Sequence, residues 1–269
     1  MDHAMMGWKQ FRTPIFPSED AAMRTRAEIK AEARGLIQTA RVSPLLVTAI
    51  LLAVGFLLDR VVSLVETGSF FYTYSFTQEE ISRIVNGDYQ LLLDSIHVTP
   101  QSTFFSVLVA LFNVVLSGGY YIYCMGIRRG QVMGCSSLLD GLSVAGKLIW
   151  CYVLTQIKIV LWSMLFVIPG IVAMYRYRFA CYNVLTDSAL SAGDAIRLSC
   201  RQTYGRKGSL FALDLSFLGW FLLSAVLSEL AGPVLGVLVP VVFNLWLTPY
   251  QVLSDLGYYE ESQRLIGRV

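Results

Sequence analysis

The sequence predicts an all-α, polytopic membrane protein, on the basis of its composition, the length of its apolar segments and the placement of its basic residues. Apolar residues make up 55% of the 269 residues, whereas charged residues make up only 15%. A soluble domain carries about 25% charged residues, so this chain has too few charges to cover a surface that faces water. The composition therefore argues against a cytosolic enzyme, a nucleic-acid-binding protein and a disordered regulator.

Six apolar segments are candidates for crossing helices, because about 20 apolar residues span the roughly 30 Å of bilayer hydrocarbon. They cover residues 42–65, 101–125, 148–168, 171–185, 209–230 and 233–253. The third and fourth segments are expected to form a hairpin that turns at Pro169–Gly170. All six belong to one predicted membrane domain, residues 24–260, between an N-terminal extension, residues 1–23, and a C-terminal tail, residues 261–269.

The basic residues predict the orientation, because Lys and Arg gather in the loops on the cytoplasmic side of a membrane. With six crossings and both termini inside, 16 of the 21 basic residues lie inside and only Arg60 and Arg83 lie in outer loops. If residues 171–185 did not cross, the two sides would hold 10 basic residues each. The count favours six crossings.

An amphipathic helix is predicted before the first span. Ser18 is its expected cap. The helix has a basic face, formed by Arg26, Lys30 and Arg34. Its apolar face is formed by Ile29, Ala33, Leu36 and Ala40. Attachment to anionic lipid headgroups and packing on the bundle with a solvated basic face explain this pattern equally well.

A second cytoplasmic helix is predicted after the fourth span. It begins at a capping sequence, Ser191 to Asp194, and stops near Gly205. Arg197 and Arg201 share one of its faces. A connector helix at the headgroups is favoured over a dedicated ligand site, although its basic face is a candidate lipid surface.

The outer loop, residues 59–100, is acidic and contains an aromatic stretch at residues 69–76. Aromatic rings are enriched at the membrane–water boundary, and this explanation is favoured over a surface for a partner or substrate. Thr77 and Glu80 form a capping-box pattern that predicts a short helix ending at Asn86–Gly87.

Charged residues within the predicted spans are the candidates for a polar site, because ionisable side chains in hydrocarbon are costly and often functional. These candidates are Lys158, Arg176, Arg178, Asp214 and Glu229. Depth along the helices allows Lys158 to pair with Asp214, and Arg176 or Arg178 to pair with Glu229, which leaves one cation over. One interpretation is a cavity for an anionic solute or headgroup; the other, which is favoured, is structural pairing or snorkelling.

Motifs for catalysis are missing from the sequence. It has two histidines and no Ser-His-Asp arrangement, zinc-ligand spacing or phosphate-binding glycine loop. The five cysteines include no CxxC pair, which predicts free thiols. We therefore expect no enzymatic activity, no metal and no cofactor.

The chain resembles a bacterial membrane family known as domain of unknown function 975, roughly over residues 24–260. The resemblance is carried by short pieces in a fixed order: Arg26–Lys30, Leu161–Trp162, Ile168–Ile171, Asp194–Ser199, Gly205, Phe211, Leu215–Trp220 and Thr248–Tyr250. It implies an integral membrane fold in the cytoplasmic membrane of a bacterium and no particular activity. A looser similarity to the membrane regions of some bacterial glycerophosphodiesterases implies only a lipid-rich setting.

Three functions are compatible with the sequence. The first is a non-enzymatic accessory or scaffold protein that contacts lipid, a protein partner or a second copy of itself. The second is a small transporter or lipid-handling protein with a polar site within the membrane. A membrane enzyme is the least favoured, and no nucleic-acid partner is expected.

Overall fold

The computed structural model describes residues 24–67, 77–87, 100–236 and 238–267, and the regular structure in these ranges is helical. The helices are α1 (Arg26–Thr39), α2 (Pro44–Thr67), α3 (Gln78–Val85), α4 (Pro100–Arg128), α5 (Ala145–Leu165), α6 (Val167–Tyr177), α7 (Ala180–Thr186), α8 (Ala192–Gln202), α9 (Lys207–Leu230), α10 (Gly232–Leu235) and α11 (Leu238–Leu265). A 3₁₀ segment, Cys135–Val144, joins α4 to α5. The prediction of an all-α fold is confirmed for the described ranges.

Four stretches of the described chain are long and apolar enough to cross a bilayer. They are Pro44–Val65, Thr103–Arg128, Cys135–Leu165 and Lys207–Leu230. They correspond to the first, second, third and fifth predicted segments. A membrane protein with several apolar helices is therefore the architecture that the structure supports.

The other two predicted segments have a different construction. Residues 171–185 fall on α6 and α7, which are separated by a break at Arg178–Phe179. The 11 residues of α6 extend only about 16 Å. Residues 233–253 begin in the short α10 and continue into α11, whose C-terminal half is polar.

Helices α5 and α6 form the predicted hairpin, but its turn lies at Phe166, three residues before the expected Pro169–Gly170. Phe166 has an extended backbone between the two helices. Pro169 lies in the first turn of α6, where backbone N–H groups have no intrahelical partner and a proline is tolerated. Gly170 packs on Ser163, since a Cβ at Gly170 would lie 2.1 Å from the Ser163 hydroxyl oxygen.

Helix ends follow the predicted caps where the structure describes them. The Ser191 hydroxyl accepts a hydrogen bond from the backbone N–H of Asp194 and caps α8. Helix α3 ends at Asn86–Gly87, as predicted, and Gly87 has a φ of 96°. The cap expected at Ser18 lies outside the described residues, as does the aromatic stretch 69–76; α1 begins instead after Thr25, which forms a capping box with Glu28.

Most of the buried residues lie in one half of the molecule, which we call the packed end: residues 24–48, 115–148, 173–210 and 247–266. There α1 packs on α11, the 3₁₀ segment packs on α4, and α8 packs on α7 and α5. The remaining described parts of α2, α4, α5, α6, α9, α10 and α11 form the apolar end, residues 49–67, 100–114, 149–172 and 211–246. Its large apolar side chains are mostly exposed, which is expected where the solvent is lipid.

Candidate functional site

An arginine at the break between α6 and α7 is the centre of the candidate site. The Arg178 guanidinium faces Asp214 on α9, with Nη1 2.5 Å from Oδ2 and Nη2 2.9 Å from Oδ1. Two parallel hydrogen bonds of this kind fix both the distance and the orientation of an arginine–carboxylate pair. Arg178 therefore ties the α6–α7 break to α9.

A second carboxylate approaches the same guanidinium from α11. Asp255 Oδ1 lies 2.8 Å from Arg178 Nε. Tyr182 donates a hydrogen bond to Asp255 Oδ2 over 3.1 Å, and Tyr175 donates one to Asp214 Oδ2 over 2.9 Å. We call these five residues the Arg178 cluster.

The cluster lies at the edge of a cavity of about 670 Å³, which we call the α4–α5 cavity. Two polar stripes line it, one on each helix: Asn113, Ser117 and Tyr121 on α4, and Tyr152, Thr155 and Gln156 on α5. Spacings of three, four and seven residues place side chains on one face of a helix. Two apolar helices thus direct their polar residues toward a shared cavity.

The charged residues that line the α4–α5 cavity are Arg178, Asp214 and Asp255. With one positive and two negative groups, the lining carries one excess negative charge when all three are ionised. The sequence predicted the opposite, a surplus cation, because Asp255 was not among the candidates.

The other candidates within the spans do not line this cavity. Lys158 is half-buried on α5, with its Nζ 5.8 Å from the centre of the Tyr177 ring. Arg176 is exposed and donates from Nε to the Cys200 sulfur over 3.2 Å. Glu229 is exposed and forms no ion pair within the part of the chain that the structure describes.

The ion pairs therefore differ from those expected. Asp214 pairs with Arg178 and not with Lys158, and neither Arg176 nor Arg178 pairs with Glu229. A rise of 1.5 Å per residue puts Arg178 about 18 Å from the turn at Phe166, and Asp214 about 10 Å from the start of α9. The two distances add to nearly the roughly 30 Å thickness of the bilayer hydrocarbon. If the hairpin turn and the start of α9 lie at opposite surfaces, Arg178 and Asp214 are therefore at the same depth.

The basic face of α1 lies against α9. Arg26 donates to the backbone carbonyl of Ala212 over 3.3 Å. Lys30 donates to the Ser216 hydroxyl over 2.9 Å, and its ammonium lies 4.3 Å from the centre of the Phe217 ring. Partial burial lowers the pKa of Lys30, because it disfavours the charged ammonium.

The remaining basic candidates are exposed. Arg34 is exposed on α1, and Arg197 and Arg201 are exposed on α8. Arg197 pairs with Asp194 one turn earlier. Hydrogen bonds from Ser191 and Arg197 lower the pKa of Asp194.

A second cavity, of about 600 Å³, opens at the packed end and includes Arg128 and Asn183 in its lining. The Arg128 side chain is 1% exposed and pairs with Glu32 and Glu260, at 3.1 Å and 2.8 Å. The Asn183 amide exchanges hydrogen bonds with Gln202 and also accepts from Tyr259 and Gln263. Most of its polar groups already have partners in the chain, so this region has the character of a structural polar core.

Asp255, Tyr175 and Tyr182 are members of the Arg178 cluster that the sequence did not predict. Asp255 lies two residues beyond the predicted end of the last span, so it was not counted as a charge within the membrane. The two tyrosines gave no charge signal. The one available hint was that Asp255 lies on α11 close to Tyr250 and Tyr258, in a region where aromatic residues mark the membrane boundary.

The described residues include no group of three or more His, Cys, Asp or Glu side chains placed to hold a metal ion. The five cysteines are free thiols, as the sequence predicted.

Comparison with known proteins gives a family but no relative of established activity. Residues 165–265 match the sequence model of the family described as "Protein of unknown function (DUF975)". No curated protein and no solved structure gives a significant match. The match covers the hairpin turn and helices α6 to α11, including all five residues of the Arg178 cluster. Residues 165–265 of this chain are therefore similar to the DUF975 family, in agreement with the resemblance drawn from the sequence.

Proposed function

We propose that this protein is a multi-pass protein of a bacterial cytoplasmic membrane that binds a small amphiphile in the α4–α5 cavity, as a lipid-handling or transport protein. The observation that carries the proposal is the cavity itself. Two apolar helices line it with polar side chains, and it ends at the Arg178 cluster. Ligand sites are typically concavities of about 300–1,000 Å³ with a few convergent polar groups.

The proposed topology has six crossings with both termini inside. Four described stretches are long enough to cross by themselves. In this topology α5 is the third crossing, α6 and α7 together form the fourth, and α10 and α11 together form the last. The distribution of Lys and Arg supports this orientation, with 16 of 21 on the inner side.

The energetics of polar groups in lipid support a binding role. A polar group that is moved into hydrocarbon without a partner costs several kcal/mol. The polar side chains on α4 and α5 lower that penalty when they face water or the polar part of a ligand. An amphiphile satisfies both parts of the site, since its headgroup meets the cluster and its chain meets the apolar lining.

The second candidate is an accessory or scaffold protein without enzymatic activity, in contact with lipid, a protein partner or another copy of itself. The observation in its favour is that the Arg178 guanidinium already has two carboxylate partners. A structural ion-pair network has this property, and a scaffold does not need a charged side chain that is left free to bind a ligand.

A cavity-filling variant separates the two candidates. Ser117 lines the cavity, whereas Val107 is 52% exposed on the same helix, so Ser117→Trp and Val107→Trp are matched changes. Native mass spectrometry of gently extracted protein is expected to show a bound small molecule that Ser117→Trp loses and Val107→Trp keeps. Loss from neither variant, together with a stoichiometric protein partner, would instead support the scaffold.

A further inference from the structure

We propose that the ligand of the α4–α5 cavity carries an ammonium group, with Asp214 as its contact and Asp255 as the source of the unbalanced charge. This inference rests on the proposed function and adds the chemical class of the ligand. It follows from the charges, the exposure of the two carboxylates and the aromatic lining.

The first step is the charge of the cavity lining. Arg178 faces both Asp214 and Asp255, so the formal charges of the three charged residues in the lining sum to minus one. Uncompensated charge is strongly disfavoured in a medium of low dielectric constant. A ligand with one positive charge removes the imbalance, whereas an anion adds to it.

The second step is the difference in exposure between the two carboxylates. Asp255 is 6% exposed, with Oδ1 beside Arg178 Nε at 2.8 Å and Oδ2 accepting from Tyr182, so a ligand has little access to this carboxylate. The Asp214 side chain is 33% exposed and lines the cavity, so a ligand can reach it. Each Asp214 oxygen accepts one hydrogen bond from Arg178, and only Oδ2 accepts another, from Tyr175. A carboxylate has about four acceptor positions, which leaves Asp214 able to accept an N–H donor from the ligand.

The third step is the aromatic lining. Four tyrosines contribute to the cavity: Tyr121, Tyr152, Tyr177 and Tyr182. The face of an aromatic ring attracts cations within about 6 Å. The Tyr177 ring already has Lys158 Nζ and the Arg176 guanidinium carbon at 5.8 Å and 5.9 Å from its centre, so the rings left for a ligand cation are those of Tyr121, Tyr152 and Tyr182.

The same geometry disfavours an anionic headgroup. Both terminal nitrogens of Arg178 are hydrogen-bonded to Asp214, and Nε lies beside Asp255. A phosphate would have to displace a carboxylate to reach the guanidinium, and it would then face two carboxylates in the same space. The ammonium can come from a lipid headgroup or from a free amine, and both present the same chemistry to Asp214.

The test compares probes with and without an ammonium group, on purified protein in detergent. Short-chain phosphatidylethanolamine, its N-acetylated form and phosphatidylglycerol with the same chains are titrated by native mass spectrometry, together with hexylammonium. Phosphatidylethanolamine or hexylammonium is expected to bind at least tenfold more tightly than the N-acetylated or anionic probes. Preference for phosphatidylethanolamine identifies a lipid headgroup as the source, and equal binding of hexylammonium identifies a free amine.

Two variants of α9 complete the test. Asp214→Asn removes the accessible carboxylate charge, and Glu229→Gln removes an exposed one near the other end of the same helix. The first is expected to weaken binding of the ammonium probes at least tenfold, and the second to leave binding unchanged. A thermal melt of each variant shows whether it is folded, and Ser117→Trp serves as a second variant that leaves the charges intact.

Three results would overturn the ammonium assignment. If the anionic probe bound more tightly than the ammonium probes, and Ser117→Trp abolished that binding, the ammonium assignment would be refuted while the cavity would remain a binding site. Ammonium binding that survives Asp214→Asn in a folded protein would refute the role of Asp214. Absence of binding by every probe, with no molecule lost from Ser117→Trp, would refute the proposed function together with this inference.

Discussion

The packed end and the apolar end are built from many of the same helices but are stabilised by different contacts. The packed end buries complete polar networks, such as the one around Asn183, among side chains that are almost fully enclosed. In the apolar end, by contrast, residues such as Leu222 and Val242 are 59% and 63% exposed. One helix, α11, passes from the first environment to the second.

This difference shows where the chain supplies its own interior and where it relies on lipid. Hydrocarbon is as apolar as a leucine side chain, so outward-facing apolar residues have little to gain from packing inside a membrane protein. The packed end has to bury its apolar surface within the chain, as a soluble domain does. The Arg178 cluster lies at the boundary between the two ends, with Tyr182 and Asp255 in the packed end and Asp214 in the apolar end.

The largest expected contrast comes from one substitution made in both regions. Leu256 is 0% exposed on α11, and Leu222 is 59% exposed on α9. Leu256→Ala should lower the free energy of unfolding by about 4 kcal/mol, because it leaves a cavity among rigid neighbours. Leu222→Ala should change it by less than about 0.5 kcal/mol. Unfolding in mixed micelles by added dodecyl sulfate measures both, and equal losses would contradict the division into two regions.

The next contrast uses two glycines in long helices. A Cβ on Gly119 of α4 would lie 2.0 Å from the carbonyl oxygen of Leu138, whereas a Cβ on Gly219 of α9 would meet nothing within 4 Å. Gly119→Ala has to push the 3₁₀ segment away from α4, and we expect a loss of about 3 kcal/mol. Gly219→Ala should be neutral or slightly stabilising, since alanine favours a helix.

The same unfolding titration measures the glycine pair. Gly141→Ala, on the facing 3₁₀ segment, is a second test of this contact, because its Cβ would lie 2.3 Å from the carbonyl oxygen of Val115. If Gly119→Ala and Gly141→Ala were both as stable as Gly219→Ala, the close approach of the two backbones would be refuted.

Periodicity and charge predicted the helical membrane architecture well, because both signals are carried by many residues. The apolar runs that became α2, α4, α5 and α9 are long enough to be recognised individually. The start of α8 was predicted from the cap at Ser191, because a cap involves residues only three positions apart.

The candidate site was only partly predictable, because its pairs join residues that are far apart in the chain. Arg178 and Asp214 were both identified as charges within spans, but depth alone could not select the pair. Asp255 lies 77 residues from Arg178, and nothing local to it signals that contact. The polar stripe at Asn113 and Ser117 was hidden within an uncharged apolar run, since only the packing of α4 beside α5 shows that it lines a cavity.

A smaller contrast compares two asparagines. The Asn183 side chain is buried and hydrogen-bonded to Ala195, Gln202 and other partners, whereas Asn113 lines the α4–α5 cavity. Asn183→Ala should lower the free energy of unfolding by about 2 kcal/mol, because it leaves buried partners unsatisfied. Asn113→Ala should leave stability nearly unchanged. A loss from Asn113→Ala as large as that from Asn183→Ala would mean that the cavity wall is a structural core.

The smallest expected effect concerns the surface of the packed end, where a substitution removes a single hydrogen bond and leaves the buried core unchanged. Ser191 caps α8 through its hydroxyl, whereas Ser209 is an exposed serine in the first turn of α9 without a capping role. Ser191→Ala should lower the free energy of unfolding by about 1 kcal/mol, which Ser191→Asp should largely restore, because aspartate also caps helices well. Ser209→Ala should have no measurable effect. If Ser191→Ala were equally silent, α8 would be held by its packing on α5 and α7 alone, and the packed end would owe its stability to burial rather than to local helix signals.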